Sequence, residues 1–110
     1  VISARFSVRQ NGNSAYATAK SGLIGFAQSL SKELYVDNIR VNVVSPGLIR
    51  GREPQTPVIP GPNLLNRVGL VQDIAYAATY LVSDEASWGN GQVFVVDGGA
   101  DVNARSLEDV

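Results

Sequence analysis

The sequence contains no cysteine, no histidine and no methionine. Without cysteine there is no disulfide and no thiolate metal site, although the compartment stays open. Without histidine the usual zinc ligand is missing and no Ser-His-Asp triad can form, so no serine has an imidazole to activate it as a nucleophile. No metal site is expected. The lack of methionine extends to position 1, and the chain opens on Val1 in what reads as mid-strand. This leads us to expect the back portion of a longer protein. Charged residues are few, at 17% against the usual quarter, so the chain has less surface to solvate than a free-standing domain. That shortage points to partners. The net charge is −1 with scattered basic residues, which excludes nucleic acid and anionic membrane as expected partners. No run of about eighteen apolar residues is present to span a bilayer, and no signal peptide is expected. The expected location is the cytoplasm. A chain of 110 residues suits one domain that buries about two-thirds of its unfolded surface.

What the chain does have is a helix carrying chemistry. Asn13 and Ser14 are residue types that cap helices, and apolar positions follow at helical spacing: Ala15, Ala19, Leu23, Phe26 or Ala27, Leu30 and Leu34. Tyr16 and Lys20 are thus one turn apart on one helix face. Ser3 closes a short β-branched run, Val1-Ile2, that reads as a strand end. A phenol near neutrality is a poor base and a slow acid, because its ordinary pKa is about 10. A nearby positive charge stabilises phenolate, and Lys20 is placed to supply one. A hydroxyl from Ser3 could then hold a carbonyl oxygen, or the alcohol it becomes, against the phenol. Such a trio has no reducing equivalents of its own, so a cofactor must bring them.

Along the chain, the pattern predicts a polar loop over 4–13, a helix over 14–36 and a strand over 40–44 halted by Pro46-Gly47. The segment 48–66 holds Pro54, Pro57, Pro60 and Pro62 and is read as a loop covering a ligand crevice. A second helix is expected over 72–82, with Asp73 in its first turn, where the helix dipole favours a carboxylate. Its apolar stripe is Ile74, Ala78 and Leu81, widened by Ala75 and Val82. A turn-rich stretch over 83–90 carries Trp88. A strand over 92–96 ends at Asp97-Gly98-Gly99, and a polar, mobile tail is expected over 100–110. Gly22 and Gly25 inside the first helix point to a face where another backbone packs closely. Strand, helix, strand, helix, strand with near-continuous apolar strands implies an α/β fold, with a parallel sheet covered on both faces and right-handed crossovers. Its unpaired edge is a further sign of something missing.

Ser3, twelve intervening residues, then Tyr16-x-x-x-Lys20 resembles the active-site signature of the short-chain dehydrogenase/reductase family. Other stretches, in family order, extend the likeness over residues 1–99: Val41-Asn42-Val43-Val44-Ser45-Pro46-Gly47-Leu48-Ile49, Asn66-Arg67-Val68-Gly69 with Gln72-Asp73-Ile74-Ala75, Leu81-Val82-Ser83-Asp84-Glu85-Ala86-Ser87, and Gly91-Gln92 with Val96-Asp97-Gly98-Gly99. The resemblance implies the carboxyl-terminal, catalytic half (1–99, followed by the tail) of a doubly wound NAD(P)-binding Rossmann-like domain with βαβαβ connectivity. It implies Tyr16 as acid/base, Lys20 favouring its phenolate and holding the nicotinamide ribose, and Ser3 positioning the substrate carbonyl. Pro46 and Gly47 would lie under the nicotinamide of NAD or NADP, with the Ile49 backbone reading its carboxamide. The substrate would be a small carbonyl or alcohol, and the protein a homo-oligomer, dimer or tetramer. Helix faces at Gly22, Gly25, Tyr76 and Tyr80, with the last strand, are the expected subunit contacts. Two features depart from the family. Gly51, between Arg50 and Arg52, stands where a threonine is frequent, and the glycine-rich phosphate turn has no counterpart. The alternative reading is a non-catalytic chain, truly this short, that serves assembly or binding.

Overall fold

A computed structural model describes residues 1–4, 12–50 and 58–102. The elements are α1 (Ser14–Leu34), β1 (Val43–Pro46), α2 (Val71–Val82) and β2 (Val93–Val96), with single 3-10 turns at Tyr35–Asp37 and Asp84–Ala86. Gln10, Asn11, Gly51, Arg52, Pro54, Pro57 and the tail from 103 lie outside the described residues, with the expectations attached to them.

β1 and β2 pair in parallel, Val43 with Val93 through Pro46 with Val96. On the other side of β1, Ile2 forms a parallel bridge with Val44: the Val44 N–H donates to Val1 C=O at 2.9 Å and the Ser3 N–H to Val44 C=O at 2.8 Å. The next rung on that side would need an N–H on residue 46, and proline has none. The proline costs nothing toward β2, because Val43 and Gly47 donate in that direction, to Gln92 and Val96. Pro46 is therefore the last residue of the strand rather than the residue after it.

The strand also starts later than its composition predicts, at Val43 rather than Arg40. The β-branched run is real, but in residues 40–42 side chains take over part of the pairing. Among the described residues, the backbone bonds left there run from Gly91 N–H to Val41 C=O at 2.8 Å and from the Val1 amino group to Asn42 C=O at 3.1 Å. Arg40 donates to the carbonyls of Ala86 at 2.9 Å, Gly89 at 3.1 Å and Ser83 at 3.2 Å. The Val41 N–H goes to Asn90 Oδ1, and the Asn42 carboxamide bridges Gly89 C=O and the Gln92 N–H. The regular ladder begins at Val43, whose N–H goes to Gln92 C=O at 2.9 Å.

Side chains alternate across a strand, so Ser3, Val43, Ser45, Val93 and Val95 share one face and Ile2, Val44 and Phe94 the other. α1 lies against the first face, where the Ser3 hydroxyl donates to the Lys20 C=O. α2 lies against the second, where Ile2 and Val44 line one cavity with Ala78 and Leu81. The fold is thus α/β with a parallel sheet and a helix on each face. Ala27, Val43, Val44, Val68, Leu81 and Ala86 form the buried core.

α1 ends two residues early as an α-helix and tightens through Tyr35–Asp37 to Asn38, whose φ of 58° is the left-handed turn a helix end favours. Asn13 makes no side-chain cap; its C=O accepts from Ala17 instead. α2 matches its expectation to one residue, but Ala75 and Val82 face outward, Val82 at 82% exposure, so the stripe is narrower than expected. A Cβ on Gly22 or Gly25 would meet nothing within 4 Å, so among the described residues no backbone packs there, and the face is left for the expected subunit contact. Ala100 and Asp101 are buried, which moves the start of the tail beyond them. No described helix is long and apolar enough to cross a membrane.

Candidate active site

The carboxyl ends of β1 and β2 converge on the site. Gly47 begins it: its N–H donates to Val96 C=O at 2.9 Å, and a Cβ there would stand 2.7 Å from Asp97 Cα and Cβ. Only glycine lets the two strand exits approach so closely. Asp97 itself secures the turn, its carboxylate accepting the Gly99 N–H at 2.9 Å and the Asp101 N–H at 3.0 Å.

Beyond Gly47 the outgoing leg of the covering loop pairs with its returning leg. Ile49 bridges Gly69, with Gly69 N–H donating to Leu48 C=O at 2.8 Å and Arg50 N–H to Gly69 C=O at 2.7 Å. In this geometry the N–H and C=O of Ile49 point to the opposite side, and among the described residues neither has a hydrogen-bond partner. Two unpaired amide groups on a strand exit suit a carboxamide, one as donor and one as acceptor.

The returning leg is locked to α2. Arg67 holds the Asp73 carboxylate by two bonds, 2.8 and 3.0 Å, and the same carboxylate accepts the Leu70 N–H at 2.8 Å, the reaching-back half of a capping box. The Arg67 hydrogen bond holds the Asp73 carboxyl below its ordinary range, aided by the Leu70 N–H and opposed by partial desolvation. A cavity of about 200 Å³ lies between these pieces, lined by Leu48, Ile49, Asn63, Leu65 and Asp97 among others. Asn63 donates to Arg67 C=O at 2.7 Å, while its Oδ1, buried against Gly98, has no hydrogen-bond partner among the described residues. Sequence reasoning noticed Arg67 and Asp73 separately and missed the pair. The available signal was an arginine six positions before a first-turn aspartate, close enough to fold back on it.

Of the three residues read as catalytic, Lys20 meets the other two by different ends, Ser3 at its backbone carbonyl and Tyr16 at its ammonium. Ser3 is buried, with its hydroxyl on the Lys20 carbonyl at 2.5 Å. The Lys20 ammonium stands over the Tyr16 ring, 5.9 Å from its centroid. Tyr16 is half exposed. Among the described residues no hydrogen bond joins the Ser3 hydroxyl to the Tyr16 phenol. The ammonium faces the ring's π cloud, an attraction of about 0.5–1 kcal/mol at exposed sites.

Residues 1–101 match the family model described as enoyl-(acyl carrier protein) reductase. The chain belongs to the short-chain dehydrogenase/reductase family. It is 43% identical over 97 residues to a 3-oxoacyl-(acyl-carrier-protein) reductase of Chlamydia trachomatis, covering 80% of this chain and 38% of that protein. The same reductase of Thermotoga maritima is 39% identical over 98 residues. Among solved structures, 4-hydroxyisoleucine dehydrogenase complexed with NADH superposes with a TM-score of 0.79 at 36% identity, over 92% of this chain and 44% of that one. Acetoin dehydrogenase of Salmonella typhimurium gives 0.81 at 31% identity, over 92% and 43%. The chain therefore spans well under half the length of the relatives it matches.

Proposed function

We propose that this chain is the catalytic carboxyl-terminal half, residues 1–99, of an NAD(P)-dependent oxidoreductase that interconverts a carbonyl and an alcohol. The observation that supports this best is that Lys20 meets both Ser3, through its carbonyl, and Tyr16, through its ammonium. The Ile49 amide groups at the exit of β1, unpaired among the described residues, support it separately. A bound nicotinamide dinucleotide would supply the hydride and take it back. Tyr16 delivers its phenolic proton to the carbonyl oxygen in reduction and recovers it in oxidation. Lys20 keeps a positive charge beside the phenol as negative charge grows on its oxygen, and reaches the cofactor ribose. Ser3 orients the carbonyl oxygen. Pro46, Gly47 and the Ile49 backbone hold the carboxamide end of the cofactor.

The family model's description names reduction of a carbon–carbon double bond, whereas the similar reductases act on 3-oxoacyl groups. The identity of 43% and 39% to these reductases favours a carbonyl substrate, and a small-molecule 3-oxoacyl thioester is the first to try. Exposed Tyr76, Tyr80 and Val95 offer faces for assembly as a homo-oligomer, a dimer or tetramer, in the cytoplasm.

In the complete protein, Tyr16→Phe is expected to remove nearly all turnover of a 3-oxoacyl thioester while NADH or NADPH still binds. Unchanged turnover in that variant refutes the assignment.

A further inference from the structure

Ser45 is 2% exposed, and among the described residues its hydroxyl oxygen has no hydrogen-bond partner. A buried hydroxyl left unpaired is costly, and such a group asks what it is for. Its position in the sheet narrows the answer. The Ile2–Val44 bridge places Ser3 directly opposite Ser45 on the same face of adjacent parallel strands. The other neighbours on that face are Val43 and Gly47 along β1 and Val95 across on β2. Of these, Ser3 alone has a side chain that can hydrogen-bond. Neighbouring strands lie about 4.8 Å apart, so opposed serines are one rotamer change from an O–H···O contact.

Ser3 has a difficulty that Ser45 resolves. A serine hydroxyl carries one proton and two acceptor sites. Here that proton is committed to the Lys20 carbonyl, so Ser3 shows a substrate only lone pairs, which a carbonyl oxygen cannot use. To hold a carbonyl, Ser3 must swing its proton away from Lys20. The Lys20 carbonyl tolerates this, because a mid-helix carbonyl keeps its bond from the N–H four residues on.

We propose that Ser45 is a positioning residue for Ser3: on substrate binding its hydroxyl donates to Ser3 Oγ while Ser3 donates to the substrate's carbonyl oxygen. The relay leaves no donor unpaired, and hydrogen bonds in series strengthen one another. It rests on the role proposed above for Ser3. No proton is transferred; only the direction of two hydrogen bonds changes.

The test is a double-mutant cycle of Ser3→Ala and Ser45→Ala in the complete protein, with a 3-oxoacyl thioester and NADPH. Ser45→Ala is expected to lower kcat/KM for the thioester between about two- and tenfold, the worth of one hydrogen bond, and to leave the KM for NADPH unchanged. In the Ser3→Ala background it is expected to change nothing further. Its thermal midpoint should stay level or rise, since an unpaired buried hydroxyl has been removed. Equal losses in both backgrounds, or no loss in either, overturn the relay. If instead Tyr16→Phe turns over normally, the carbonyl-reduction reading has failed. The relay then stands or falls on the single-variant crystal structures, where Ser45→Ala must alter the Ser3 rotamer in a complex with a carbonyl ligand.

Discussion

Asp73 accepts from both terminal guanidinium nitrogens of Arg67 and, with the same carboxylate, from the Leu70 N–H. One acidic side chain thus fixes the end of the covering loop and the start of α2. Because its partners hold the carboxyl below the ordinary value, the stabilisation is complete above about pH 4 and is lost as the pH falls through the depressed value. Both side chains are partly exposed, at 38% and 27%, which keeps the contribution modest. Asp73→Asn should lower the unfolding free energy by about 1 kcal/mol at pH 7. Urea unfolding at pH 7 and pH 3 should show the gap between variant and parent closing in acid. A gap independent of pH would show that the charge is irrelevant.

Arg40 closes the opposite end of the strands by donating to three carbonyls in the stretch between α2 and β2. Arg40→Ala leaves those carbonyls short of donors and should cost about 2 kcal/mol. Arg40→Lys should recover only part of it, since a point charge cannot reproduce the planar fork. Chemical denaturation checks both, and full recovery by lysine would refute the geometric account.

Gly69 cannot be enlarged without moving Ile49: a Cβ there would lie 2.5 Å from Ile49 Cδ1 and 3.2 Å from Leu48 C=O. Gly69→Ala should cost about 1–3 kcal/mol of stability and displace the Ile49 amide groups. In the complete protein, NADH affinity by fluorescence titration should weaken in parallel. Undiminished affinity would separate Ile49 from the cofactor.

Lys20→Met keeps an unbranched stem over the Tyr16 ring and removes only the charge. Turnover should fall by about a hundredfold or more with thermal stability near that of the parent. A rate within a few-fold of the parent would remove Lys20 from the chemistry.

Where the sequence carried a strong period, the fold was legible. α2 was placed to one residue, and α1 to its 3-10 ending, because repeated apolar spacing reports a face that must be buried. β1 was misplaced by three residues because a strand's ends are set by its partners. The Arg40 and Asn42 side chains take up backbone groups before the ladder begins, and Pro46 remains inside it. Within the described residues, the Gly22 and Gly25 face, expected to meet a second subunit, touches nothing, while Gly47 and Gly69 stand where distant segments close on one another. Those contacts join segments distant in sequence, which no local pattern records. Of the site, the Tyr16 and Lys20 spacing was visible because a helix turns it directly into proximity. The bond from Ser3 to the Lys20 carbonyl, the Arg67–Asp73 clamp and the orphaned Ser45 hydroxyl were not, since each depends on tertiary register.

Pro46 carries that register to the mouth of the crevice. Lacking the hydrogen that the next rung requires, it ends the backbone pairing on the Ile2 side at Val44, while β1 stays fastened to β2 as far as Gly47. The two seams of the sheet therefore stop at different depths, and a missing atom rather than a bulky wedge sets the shorter one. An alanine at this position would restore a donor facing the Ser3 carbonyl and let that seam advance by one tooth.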